Sequence, residues 1–134
     1  MSVQLSVGQV LPGFTTQITR ADLVHYAGAS CDFNPIHWSE SAAAALGLPT
    51  VIAHGMFTMG LALRVVTDVI GDPGAVVRYY VRFTKPVPVP EEGAEVHFAG
   101  VVTEIADGVA TVSLEARVAE QAVLGAAVVE VRLG

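Results

Sequence analysis

The sequence predicts an α+β fold in which an antiparallel sheet wraps around one long helix. Three observations carry this. Helical patterns fill the first half of the 134 residues and strand patterns fill the second. Residues 53–71 are apolar almost all round, as a helix buried on most sides is. At least four runs with strand chemistry follow, two of them joined by A-D-G at 106–108, and D-G is a strong hairpin signal.

The elements follow in order. Alternation over 13–18 suggests a strand. Thr19 reads as an N-cap, with Asp22 placed to favour the helix dipole, and opens a helix over 20–29 with Leu23, Val24 and Ala27 on its apolar side. A polar segment occupies 30–37. Ser39 caps a short helix that Gly47 stops. In the long helix Gly55 lies at the start and Gly60 inside. Glycine there costs about 1 kcal/mol relative to alanine, which close approach of a backbone, a ligand or the sheet would explain. G-D-P-G at 71–74 is a turn, and a Val- and Tyr-rich strand spans 75–83. The proline-rich linker 85–93 belongs at an edge or on the surface, because proline cannot donate to a sheet interior. Strands follow over 94–105 and 109–118. The last, 122–133, is Val-rich and alternates little, which suggests burial on both faces.

The length suits one domain, residues 1–134. The chain is 52% hydrophobic and 15% charged, against a usual charged share of roughly 25%. That leaves more apolar surface than a small domain hides, so a subunit interface is expected, most simply a two-fold one. The net charge is −6 with scattered cations, which argues against nucleic-acid binding. The lone cysteine, Cys31, permits no internal disulfide and fits a cytoplasmic protein. The N-terminus carries no signal-peptide pattern. The apolar region 56–70, interrupted by Arg64 and Asp68, is too short and too charged to span a membrane.

Polar chemistry gathers in S-C-D-F-N-P-I-H, residues 30–37. Pro35 biases Asn34 toward extended geometry, so the segment cannot be a regular helix, and a loop can bring Asp32 and His37 to one point. Asp can hold a water, His titrates near neutrality, and Asn34 can orient either. The same spacing also reads as Asx turns with an exposed His, and spacing alone does not choose between them. His54 and Gly55 stand where the buried helix begins. Unpaired N–H groups and a positive dipole there can polarise a carbonyl. Equally, Gly55 could be a plain cap and His54 a packed histidine. The four histidines show no ligand spacing, and G-x-S-x-G, G-x-G-x-x-G and Walker patterns are all missing. Next to Asp32 the Cys31 thiolate would be disfavoured, so packing is its simpler role.

Y-A-G-A-S-C-D-F-N-P-I-H (26–37) resembles the motif of the MaoC-like (R)-specific enoyl thioester hydratases, whose pattern runs aromatic, small residues, Ser-Gly-Asp-x-Asn-Pro-aliphatic-His. I-A-H-G-M-F-T-M-G (52–60) is similar to the start of their central helix, and V-R-F-T-K-P-V-P-V (81–89) to the strand and exit that follow. Within the family the likeness is closest to the catalytic β subunit of the mycobacterial-type (3R)-hydroxyacyl-carrier-protein dehydratase. The resemblance implies a hotdog fold and a dimer with joined sheets. It implies an Asp32/His37 pair supported by Asn34, and a Gly55 amide that polarises the thioester carbonyl. The implied reaction is reversible addition of water to a trans-2-enoyl thioester of coenzyme A or acyl carrier protein, with no metal or redox cofactor required.

Cys31 departs from the family, which has Gly at that position. A side chain there is expected to alter the loop or narrow the mouth. Some hydratases carry a Ser on the central helix. Here that face has Gly60, Leu61, Ala62 and Leu63, and the small residues Gly60 and Ala62 are candidates for leaving room for an acyl chain. His54 and Lys85 are further substrate-binding candidates, and Arg78, Arg82 and Lys85 could meet an acidic carrier protein or serve only solubility. Three rivals stand beside the hydratase: a hotdog thioesterase, with its acid on the helix; a non-catalytic subunit; and an active chain that needs a homologous partner.

Overall fold

The computed structural model describes residues 3–134. Its six strands form one antiparallel sheet in the order β1-β3-β4-β6-β2, with β5 paired beside β4. The strands are β1 (Val10–Ile18), β2 (Val76–Phe83), β3 (Ala94–Ala106), β4 (Val109–Val118), β5 (Gln121–Ala122) and β6 (Leu124–Arg132). The helices are α1 (Arg20–Ser30), α2 (Glu40–Ala45) and α3 (Gly55–Ile70), with one-turn 3-10 helices at Pro35–His37 and Pro73–Ala75.

Period-two patterning builds the concave face of the sheet. Val96, Phe98, Gly100 and Val102 of β3, and Ala110, Val112, Leu114 and Ala116 of β4, turn inward while their neighbours turn out. Against this face α3 lays Thr58, Ala62, Val65 and Val66, all buried. The fit is close at Gly100, where a Cβ would lie 2.9 Å from Val65 Cγ1 and 3.0 Å from Leu114 Cδ2. The Tyr79 hydroxyl donates to the Met59 carbonyl at 2.7 Å and ties β2 to α3.

The local signals are realised in detail. Thr19 and Asp22 form a reciprocal capping box at α1. Asp107 and Gly108 turn the β3–β4 hairpin with φ of 52° and 74°, as a primed turn requires. Gly71 closes α3 at φ 75°.

Several expectations are corrected. Strand β1 begins at Val10, ahead of residue 13, and a bulge between Leu11 and Phe14 hides the alternation of its first half. Val24 of α1 faces out, while Leu23 and Ala27 are buried. Helix α3 starts at Gly55, two residues after the predicted start, and only one side of it is buried within the chain. A Cβ on Gly60 would meet nothing, so no close approach within the chain explains that glycine. The final strand is not buried on both faces. It breaks at Val123 into β5 and β6, and β6 alternates about a kink at Ala126, whose φ is 48°. The proline-rich linker is no surface strap either. Val87 and Val89 are buried, and they exchange backbone hydrogen bonds with Val51 and Ala53.

Candidate active site

The site is assembled where three chain segments meet. The first is the polar loop after α1. Cys31 ends that helix in the left-handed region at φ 60°. The Asp32 N–H donates to Ser30 Oγ, and Asp32 Oδ1 accepts the Asn34 N–H, both at 3.2 Å. Asn34 Oδ1 accepts the Ile36 N–H at 3.3 Å and caps the 3-10 turn, which delivers His37. The second segment is the stitch between residues 51–53 and 87–89. It presents the Ile52 carbonyl to His37 Nδ1 at 2.7 Å. The third is the start of α3, with His54 as N-cap.

The Asx turns read in residues 30–37 are present, and the histidine that this reading left exposed is buried. Asp32 and Asn34 make the Asx turns, and those turns carry a buried His37. A carbonyl only accepts, so His37 Nδ1 carries the proton it gives to Ile52. In the neutral ring Nε2 is then the free lone pair, and it stands 3.9 Å from Asp32 Oδ2. That gap is too long for a direct hydrogen bond and short enough for one water to touch both atoms.

His54 backs this pair. Its ring stacks on His37 with centroids 3.7 Å apart and meets Tyr26 edge-on at 4.7 Å. Its Nε2–H donates to the Asp32 backbone carbonyl at 3.1 Å. Burial pushes its pKa below the ordinary imidazole value. The hydrogen bond to Asp32 opposes this shift, and nearby His37 adds to it. His54 is thus held neutral, with Nδ1 buried and unpartnered.

A cavity of about 410 Å³ opens in front of these groups. Asp32, His37, His54, Gly55, Thr58 and Lys85 all line it, with Phe83 and Leu124 on its apolar wall. Gly55 and Met56 begin α3, so their N–H groups have no intrahelical acceptor. A Cβ on Gly55 would stand 3.0 Å from the Phe83 ring, so the absent side chain leaves that ring its place.

Three of the candidate site residues are not brought to the cavity. Gly60 lies on the exposed side of α3, and Asn34 acts on the loop backbone without lining the space. Ala62 is buried against the sheet and does not line it. Cys31 is exposed and outside the lining, so it does not narrow the mouth. Thr58 is the residue that sequence reasoning passed over. A threonine in an apolar helical run looks like core, and only its position one turn after Gly55 could have marked it. The fold also gathers Asp32, His37 and His54 donor atoms within 4.8 Å of one another, which spacing did not suggest. Their arrangement fits an ion poorly. Stacked imidazoles hold their in-plane lone pairs in separate planes, so the two rings do not converge on one point.

The family model for the MaoC like domain matches residues 6–124. The chain belongs to the MaoC-like family. This MaoC-like chain is 46% identical over 79 residues to the 3-hydroxyacyl-thioester dehydratase X of Mycobacterium tuberculosis, covering 59% of this chain and 27% of that protein. It is 35% identical over 89 residues to an (R)-specific enoyl-CoA hydratase of Rhodospirillum rubrum, covering 65% and 62%. The chain thus spans less than two thirds of the length of these curated relatives. Among solved structures it superposes on a chain of the ChsH1-ChsH2 complex from Mycobacterium tuberculosis with a TM-score of 0.86 and 27% identity, covering 98% of this chain and all of that one. The MaoC-like chain has the hotdog architecture of its structural neighbours, an antiparallel sheet with a helix packed against it. Among the described residues no helix is long and apolar enough to cross a membrane.

Proposed function

We propose that this chain catalyses reversible addition of water to trans-2-enoyl thioesters, giving (3R)-3-hydroxyacyl thioesters. The observation that carries the reading is the Asp32/His37 pair. A buried imidazole whose Nδ1 is spent on the Ile52 carbonyl aims its Nε2 at a carboxylate 3.9 Å away, inside a cavity that also holds the start of α3. The names of its relatives support the same chemistry.

In the hydration direction one water sits between His37 Nε2 and Asp32 Oδ2. Its oxygen bonds to C3 as one O–H bond breaks, and the pair takes the proton. The C2=C3 electron pair moves toward the thioester, and the charge that builds on the carbonyl oxygen is met by the Gly55 N–H. The pair then delivers a proton to C2 from the same side. In such a coupled pair the proton belongs to both groups. Asn34 holds the loop that sets their distance. His54 fixes the Asp32 backbone and packs beneath His37 as an uncharged support. Lys85, exposed at the cavity, is placed to meet the phosphates of coenzyme A or of a carrier's prosthetic arm.

The active form is proposed as a dimer, either of this chain or with a homologous hotdog subunit. Strand β2 is an edge of the sheet, with Val77, Tyr80 and Phe83 exposed at 46%, 50% and 53%. The similarity to one chain of a two-component complex supports the second arrangement.

The test is to incubate the purified chain, alone and with candidate partner chains, with crotonyl-CoA. We expect the enoyl absorbance to fall and 3-hydroxybutyryl-CoA of R configuration to form. Release of free thiol without hydration would establish the thioesterase instead.

A further inference from the structure

One side chain at the cavity is unused by this mechanism. Thr58 is 2% exposed, and its Oγ1 has no hydrogen-bond partner, although Thr58 lines the cavity with Asp32, His37 and Gly55. A helical threonine ordinarily returns its hydroxyl to the carbonyl one turn back. Here that carbonyl, of His54, receives the backbone N–H groups of Phe57 and Thr58 and no hydroxyl. A buried hydroxyl left unpaired costs about 1–3 kcal/mol, and the acceptors open to it are His54 Nδ1, itself buried and unpartnered, and an oxygen that enters the cavity.

Its direction says which acceptor. Side chains on a helix lean toward the N-terminus and lie over the residues three and four positions earlier. For Thr58 those are Gly55 and His54, the first turn of α3, where the N–H groups are unpaired. Gly55 has no side chain to intervene. We propose that the Thr58 hydroxyl is a second hydrogen-bond donor to the substrate's thioester carbonyl, acting beside the Gly55 amide. Two donors on one oxygen match the charge that builds there when water adds at C3. The proposal rests on the hydratase reading and assigns a role within it.

The experiment compares Thr58→Val, which keeps the shape and removes the hydroxyl, with Thr58→Ser, which keeps the hydroxyl. Thr58→Val is expected to lower kcat for crotonyl-CoA hydration by about 100-fold, with KM changed far less and no loss of melting temperature. Thr58→Ser is expected to recover most of the rate. A spectroscopic arm uses crotonyl-CoA bound to the slow Asp32→Asn chain. Adding Thr58→Val to that chain should move the thioester carbonyl Raman band back toward its frequency in water. Near-wild-type kcat in Thr58→Val, or an unmoved carbonyl band, overturns the proposal and leaves the hydratase reading intact. A wild-type chain that does not hydrate crotonyl-CoA under any pairing overturns both. Should Thr58→Val fail to fold, Thr58→Ala takes its place in both arms with the same expected losses.

Discussion

Cys31 departs from the family pattern at a position outside the cavity. Its backbone is left-handed at φ 60°, and its side chain is exposed outside the cavity. Glycine suits that position because a Cβ costs roughly 1–2 kcal/mol in the left-handed region. Cys31→Gly is therefore expected to raise stability by about 0.5–1 kcal/mol in denaturant titration, less than the full strain because glycine also loosens the unfolded chain. Its hydration rate should stay unchanged. His54 makes a second residue-level prediction. Its folded pKa lies below the ordinary value because it is buried. Below about pH 6.5 the unfolded chain takes up a proton that folded His54 refuses. Stability should be full above that pH and fall as pH drops toward the lower folded value. Melting curves between about pH 7.5 and pH 5.5 should show this decline, and His54→Asn should flatten it.

At the scale of elements, the site depends on how closely α3 lies on the sheet. Gly100 sets that distance, since a Cβ there would press on Val65 and Leu114. Gly100→Ala is expected to destabilise the fold by about 1–3 kcal/mol, read from the chemical denaturation midpoint. Elements with local signals were legible in the sequence. The Thr19 capping box, the D-G hairpin and the Ser39 cap all stand where the chain chemistry puts them. Elements shaped by long-range pairing were not. Val87 and Val89 look like a surface linker until they pair with Ala53 and Val51, 34 and 38 residues earlier. The kink at Ala126 coincides with the register shift between Tyr80 and Arg82 of the facing strand β2, and no local residue announces it. The same division holds at the site. Asp32, His37 and Gly55 were named from motif and helix start. The stacking of His54 on His37 and the free hydroxyl of Thr58 exist only once the fold is closed.

For the whole molecule, one architecture explains both the apolar composition and the polar knot. The sheet supplies a rigid concave face. Helix α3 fills it and offers its N-terminus at one end, where the loop after α1 and the stitch through Val87 and Val89 bring Asp32 and His37. The exposed edge β2, with Val77, Tyr80 and Phe83, is where a second subunit would extend the sheet. The central claim is that water is handled between Asp32 and His37. Its most direct test is the rate of crotonyl-CoA hydration by Asp32→Asn and by His37→Ala, each shown to be folded by its melting curve. Each should fall by about 100-fold to 10,000-fold. A folded variant of either kind that keeps near the wild-type rate would contradict the account.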